Sequence, residues 1–201
     1  MLEHVPAWLG RALAGRRAGM DKVVVVQPGM AGAGELSLSS PAFADGARLP
    51  ERFTADGEGS SPPLVWSGAP EGARLALIVE DCDAPTGQPL VHAVVAELGG
   101  SAGRLEEGGI SRDAAEGDVG RNSGFRKGWL PPDPPNGHGE HRYVFQLFAL
   151  DAETPDPGEA PGRTALVEAM RGHVVASAVL VGTYSRGEAA PIGPVGAVAP
   201  A

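Results

Sequence analysis

The chain has 201 residues, enough for one domain with extensions or two small ones, and its 42% hydrophobic content can fill an ordinary core. Thirty Gly and 19 Pro make nearly a quarter of it, which excludes a plain helical bundle and suits a loop-rich β protein. A net charge of −9 repels a phosphate backbone and an anionic membrane, so no nucleic acid partner is expected, and any phosphate must be held locally.

In chain order, residues 4–17 place Val5, Trp8, Leu9, Ala12 and Leu13 on one stripe, which predicts an amphipathic helix packed on its own domain or joining two copies as a homodimer. The run Val23–Val26 is too short for the roughly 7–15-residue core of a secretory signal. No segment reaches the roughly 20 apolar residues of a membrane span. With a single cysteine, Cys82, and hence no internal disulfide, a cytoplasmic location is expected. Residues 28–34 (PGMAGAG) read as a linker.

Strand patterns begin at Leu36. Short runs at 36–40 and 63–67 come first. Residues 73–80 (ARLALIVE) are apolar on both faces, as a central strand must be, and 91–98 (VHAVVAEL) are similar. The strongest run is 142–150 (RYVFQLFAL), with Tyr143, Phe145 and Leu147 on one face and Val144, Gln146 and Phe148 on the other. Pro-rich stretches at 131–140 and 153–162 interrupt strand and helix, because Pro lacks the backbone donor. Residues 164–176 predict a helix capped by Thr164, and 178–184 a last strand. Together these predict a mainly β protein, an antiparallel sandwich of two sheets with an N-terminal and a C-terminal helix. The divisions are 1–35 (helix and linker), 36–186 (β domain) and 187–201 (a disordered tail).

Three clusters could carry chemistry. Glu80-Asp81-Cys82-Asp83-Ala84-Pro85 follows a buried strand, where its carboxylates could cap a turn, act as a base or bind metal. His92 lies in an apolar strand and is either a satisfied core histidine or a site residue. His138 and His141 precede Tyr143 in a Pro/Gly loop, away from the helical spacing of a zinc-protease pair. Cys82 sits between two carboxylates, which raise a thiol pKa and make it a poor nucleophile. No metal set, cofactor motif or nucleophile elbow is present.

The motifs taken in order resemble the phosphatidylethanolamine-binding family, including its bacterial Raf-kinase-inhibitor-like members. Residues 39–67 are similar to that family's opening segment; Asp81–Pro85 resembles its D-P-D-A-P box, with Cys82 in place of Pro; Val91-His92 and Gly139–Tyr143 resemble its V-H and G-x-H-R-Y boxes. Gly172–Val174 and Gly182–Tyr184 are similar to its closing elements, so the resemblance spans about residues 36–186. It implies a two-sheet sandwich with a shallow pocket for phosphate-like anions, made by Asp81, His92, His141 and Tyr143 and shaped by Asp83 and Pro85. Asp133 falls in the Gly/Pro wall at 128–135, where an inward carboxylate would oppose an anion. The expected role is regulatory binding of a phospholipid head group, a nucleotide or a phosphorylated partner. The alternative is an acid–base or metal-assisted hydrolase using Asp81 and His92.

Overall fold

The computed structural model describes Leu2, residues 5–111 and residues 118–186. The tail expected at 187–201 lies outside the described residues. Among them, α1 (Ala7–Leu13) is followed by β1 (Ser37–Ser39), β2 (Leu64–Ser67), β3 (Arg74–Asp81), β4 (Leu90–Leu98), β5 (Gly103–Leu105), β6 (His141–Leu150), α2 (Arg163–Met170) and β7 (Val174–Tyr184). The strands form two antiparallel sheets, β1-β2-β5 and β4-β3-β6-β7. This is the expected mainly β sandwich.

The double-faced apolar pattern of β3 has a direct cause. Leu75, Leu77 and Val79 pack between the sheets with Trp66, Phe145 and Leu147. Ala76 and Ile78 pack on the outer face with Val24, Met30, Leu166 and Met170. Two polar residues share that outer face: Glu80 and Gln146, both fully buried. Glu80 accepts from the Val24 N–H (2.9 Å), from Gln146 Nε2 (2.8 Å) and from Arg163 Nε (2.6 Å), while the Val25 N–H donates to Gln146 Oε1 (2.7 Å). One buried carboxylate thus ties the N-terminal segment and α2 to the sheet.

Local expectations are corrected at four places. The helix expected over 4–17 is regular only over Ala7–Leu13, and within this chain only part of its apolar stripe is covered: Val5 and Leu13 are half-buried, while Trp8 is 64% exposed and Leu9 is exposed as well. Gly10 is the buried residue, set against the Asn136 carbonyl so closely that a Cβ would collide. Backbone approach, rather than side-chain burial, therefore orients α1. The stretch 28–34 is packed, with Met30 fully buried and the Gly34 N–H donating to the Val175 carbonyl. Finally, α2 starts from Gly162 instead of Thr164 and ends at Met170, because Gly172 turns at φ +85° and releases Val174 into β7.

Candidate functional site

At one end of the larger sheet, a pocket of about 270 Å³ opens between the ends of β3, β4 and β6 and the Pro-rich loop at 130–135. Its polar wall is Asp81, Thr86, His92, Asp133 and His141. Leu2, Leu90, Leu130 and prolines 85, 131, 134 and 135 supply most of the remainder. The register of the sheet explains the meeting: Asp81 at the end of β3 pairs with Tyr143 on β6, two residues from His141 on the same face. His92 enters from β4, which pairs with β3 on the other side. Asp81, His92 and His141 are each at most 3% exposed.

A row of side chains runs from Asp81 to the N-terminal segment. His141 Nδ1 is 2.7 Å from Asp81 Oδ2, and His141 Nε2 is 2.7 Å from Nδ1 of His138. His138 Nε2 faces the carbonyls of Leu13 (3.0 Å) and Arg16 (3.2 Å), so it must carry hydrogen and donate. Three hydrogens fill the three bonds, one more than two neutral imidazoles hold. With one carboxylate the row is therefore net neutral. Burial and the charge of His141 push His138 below its ordinary pKa, which leaves the extra hydrogen at the Asp81–His141 end. Asp81 Oδ1 accepts the Asp83 N–H at 2.8 Å.

His92 is handled differently. Its Nδ1 is 2.5 Å from the Leu130 carbonyl and must be the protonated nitrogen, which leaves Nε2 a lone-pair acceptor. Nε2 is buried and has no partner, and burial lowers the pKa of the ring despite nearby Asp81. Asp81 and His92 thus form no acid–base pair; the partner of Asp81 is His141.

The other expected site residues separate. Tyr143 is fully buried behind the wall, edge-on to His92 with ring centroids 5.0 Å apart, and its hydroxyl also lacks a partner. Burial and then Asp81 raise its pKa well above the usual phenol value. Asp83 stands outside the wall. Burial alone would raise its pKa, but bonds from Arg142 (2.7 and 2.8 Å) and Arg17 (2.9 Å) hold it far below the usual carboxylate range. Pro85 lines the pocket. The Cys82 thiol is buried and pushed up to about 12 by burial and by Asp83. Asp133 does line the pocket, yet its carboxylate receives Arg186 (2.6 Å) and the Leu2 N–H (3.0 Å), so its charge is largely offset.

Three contributors escaped the sequence reading, Arg17, Arg186 and Leu2, while the sequence singles out His138 beside His141 but not as a member of the site. Only His138 left a signal, its spacing from His141, and that spacing serves a hydrogen-bonded row. The N-terminal segment is a real wall of the site: Leu2 lines the pocket, Asn136 Nδ2 donates to the Val5 carbonyl (3.4 Å), and Arg17 Nη1 donates to the Glu140 carbonyl (2.7 Å).

Acid should unfold the protein in two stages. His92 and His138 have lowered pKa values in the fold, so the unfolded chain takes up protons first as pH falls below about 6.5, and stability is lost from there downward. Asp56, Asp83 and Asp133 are also lowered, so their contribution is present above about 3.8 and lost as pH falls through their folded values. Urea midpoints measured from pH 8 to pH 3 should decline in both windows. A flat profile between pH 6.5 and 4.5 would contradict the neutral, buried histidines.

The family described as phosphatidylethanolamine-binding protein matches residues 39–185. A protein of Methanothermobacter thermautotrophicus named UPF0098 is 41% identical over 164 residues, covering 76% of this chain and 100% of that protein. A Mycobacterium tuberculosis protein named as a lipoprotein, LppC, is 38% identical over 149 residues, covering 74% and 72%. Among solved structures, the phosphatidylethanolamine-binding protein homologue CT736 of Chlamydia trachomatis superposes with a TM-score of 0.68 at 36% identity, covering 77% of this chain and 99% of that one. YbcL of E. coli superposes with a TM-score of 0.67 at 27% identity, covering 75% and 98%. No helix among the described residues is long and apolar enough to cross a membrane.

Proposed function

The chain belongs to the phosphatidylethanolamine-binding protein family, and on that footing we propose that its pocket binds phosphate-bearing ligands without transforming them, in a regulatory role. The candidates are a phospholipid head group, a nucleotide or a phosphorylated partner protein. One observation carries the proposal: His92, whose buried Nε2 has no partner, lines the same pocket as the hydrogen-bonded Asp81 and His141. A buried polar atom without a partner costs about 1–3 kcal/mol, and a ligand that satisfies it recovers that cost. Asp81, His92, His141 and Asp133 are the ligand-facing residues. Tyr143 backs His92, while Asp83 and Pro85 shape the turn.

A hydrolase has less support. Asp81 is bonded to His141 and to the Asp83 amide, while Nδ1 of His92 is bonded to the Leu130 carbonyl and its Nε2 to nothing, so Asp81 does not activate His92. Cys82, buried and protonated, is no nucleophile. The single reduced thiol fits a cytoplasmic protein.

With few polar contacts against the entropy of association, affinity should be weak, on the order of 0.1–10 mM. Calorimetric titration with phosphoethanolamine, AMP and phosphoserine checks this. Saturable binding of at least one, lost in His92→Phe, is the expected result; the absence of binding by all three at 20 °C and about 50 mM would refute it.

A further inference from the structure

We propose that the pocket selects singly protonated phosphomonoesters over phosphodiesters of the same size, an inference that rests on the phosphate-binding function above. It follows from which hydrogen-bonding groups the wall has left to offer.

The free group is an acceptor. The Leu130 carbonyl fixes hydrogen on Nδ1 of His92, so the neutral ring presents only a lone pair at Nε2. The ionisable groups around that ring are Asp81 on β3, His141 and Tyr143 on β6, and Asp133 on the loop at 130–135. None is hydrogen-bonded to Nε2. Charging the ring would bring a cation into a fully buried position, which burial opposes.

Cations are also missing from the wall. None of its described residues is Lys or Arg. The three nearby arginines are committed elsewhere, Arg17 and Arg142 to Asp83 and Arg186 to Asp56 and Asp133. A dianion would therefore meet two carboxylates whose charges are already offset, Asp81 by His141 and Asp133 by Arg186, and no Lys or Arg left over to balance its second charge. Leu2, Leu90, Leu130 and the prolines instead offer an apolar surface to an organic substituent.

A monoester monoanion fits these constraints. Its P–OH donates to Nε2 of His92, its single charge is tolerable beside a net-neutral Asp81–His141–His138 row, and its ester group lies against the apolar wall. A monoester has a second pKa of about 6, so this form is present near neutrality. A diester has no P–OH at these pH values and leaves Nε2 unpaired. Protons balance simply: below pH 6 the monoanion binds with no proton exchanged, and above it the complex takes up one proton per ligand from solvent. A phospholipid head group is a diester, so the selection favours free or protein-borne monoesters.

Ethyl phosphate and dimethyl phosphate are constitutional isomers, one a monoester and the other a diester, and they make the test. Both are titrated calorimetrically into the full chain at pH 6 and pH 8. Ethyl phosphate should bind at least about tenfold tighter at pH 6, the factor expected for one buried acceptor left unmade. It should weaken by about 50-fold at pH 8, as its monoanion falls from about a half to about a hundredth of the total. Dimethyl phosphate binding as tightly as its isomer at pH 6 would overturn the selection and leave phosphate binding intact. An ethyl phosphate affinity equal at the two pH values would overturn it too. Binding of neither isomer would instead remove the phosphate-binding function on which the inference stands.

Discussion

Replacing Asp81 with Leu should destabilise the protein by about 3–5 kcal/mol, whereas Asp81→Asn should retain most of that stability. Removing one partner of a buried ion pair leaves the other charge uncompensated, and costs of this size are typical. Asp81 is 3% exposed and serves two partners, His141 Nδ1 and the Asp83 N–H. Leu leaves both unsatisfied. Asn is different, because it repairs the hydrogen count. Its amide can donate to His141 Nδ1 while its oxygen accepts the Asp83 N–H. His141 Nε2 then donates to His138, and His138 still donates to the Leu13 and Arg16 carbonyls. The row loses one charge and one proton together and stays neutral. Urea unfolding of the two variants beside the parent checks this, and equal losses in both would mean that the three-hydrogen count is wrong.

The neighbouring acid should behave in the opposite way. Glu80→Leu should also cost about 3–5 kcal/mol, yet leave the ligand affinity of the folded molecule within about twofold. Glu80 faces the outer side of the sheet, away from the pocket, and binds the Val24 amide, Gln146 and Arg163. Its loss leaves a buried amide and a guanidinium without their acceptor. Hydrogen exchange should report the damage where it occurs, with faster exchange at Val24 and Val25. Protection unchanged at those amides, or a large fall in affinity, would contradict the division between a structural and a ligand-facing carboxylate one residue apart.

That division shows what sequence could and could not convey. Alternation places Glu80 and Asp81 on opposite faces of β3, and the apolar character of both faces marks a strand covered on both sides; each is a property of adjacent residues. The strand run at 142–150 and the Asp81 and His141 boxes were legible for the same reason. The partners across the sheet were not. Which imidazole meets Asp81 depends on the antiparallel register of β3 with β6, which pairs Asp81 with Tyr143 and brings His141 alongside. Nothing local separates His141 from His92 as that partner. Three-residue β5 has too few positions for a period to show. The stripe on α1 does not mark the contact that seats it on this domain, because Gly10, the one residue of the helix without a side chain, meets Asn136 there. The reach of Arg186 to Asp133 spans more than fifty residues and has no local signature, yet it decides whether the pocket carries an exposed negative charge.

The most direct measurement of the central claim is the side-chain nitrogen spectrum of the histidines during titration with ethyl phosphate at pH 6. The expected result is a saturable shift of Nε2 of His92 with a smaller shift at His141, while His173, paired with Asp151 away from the pocket, stays in place. Saturable binding that leaves the His92 and His141 signals unmoved would contradict it.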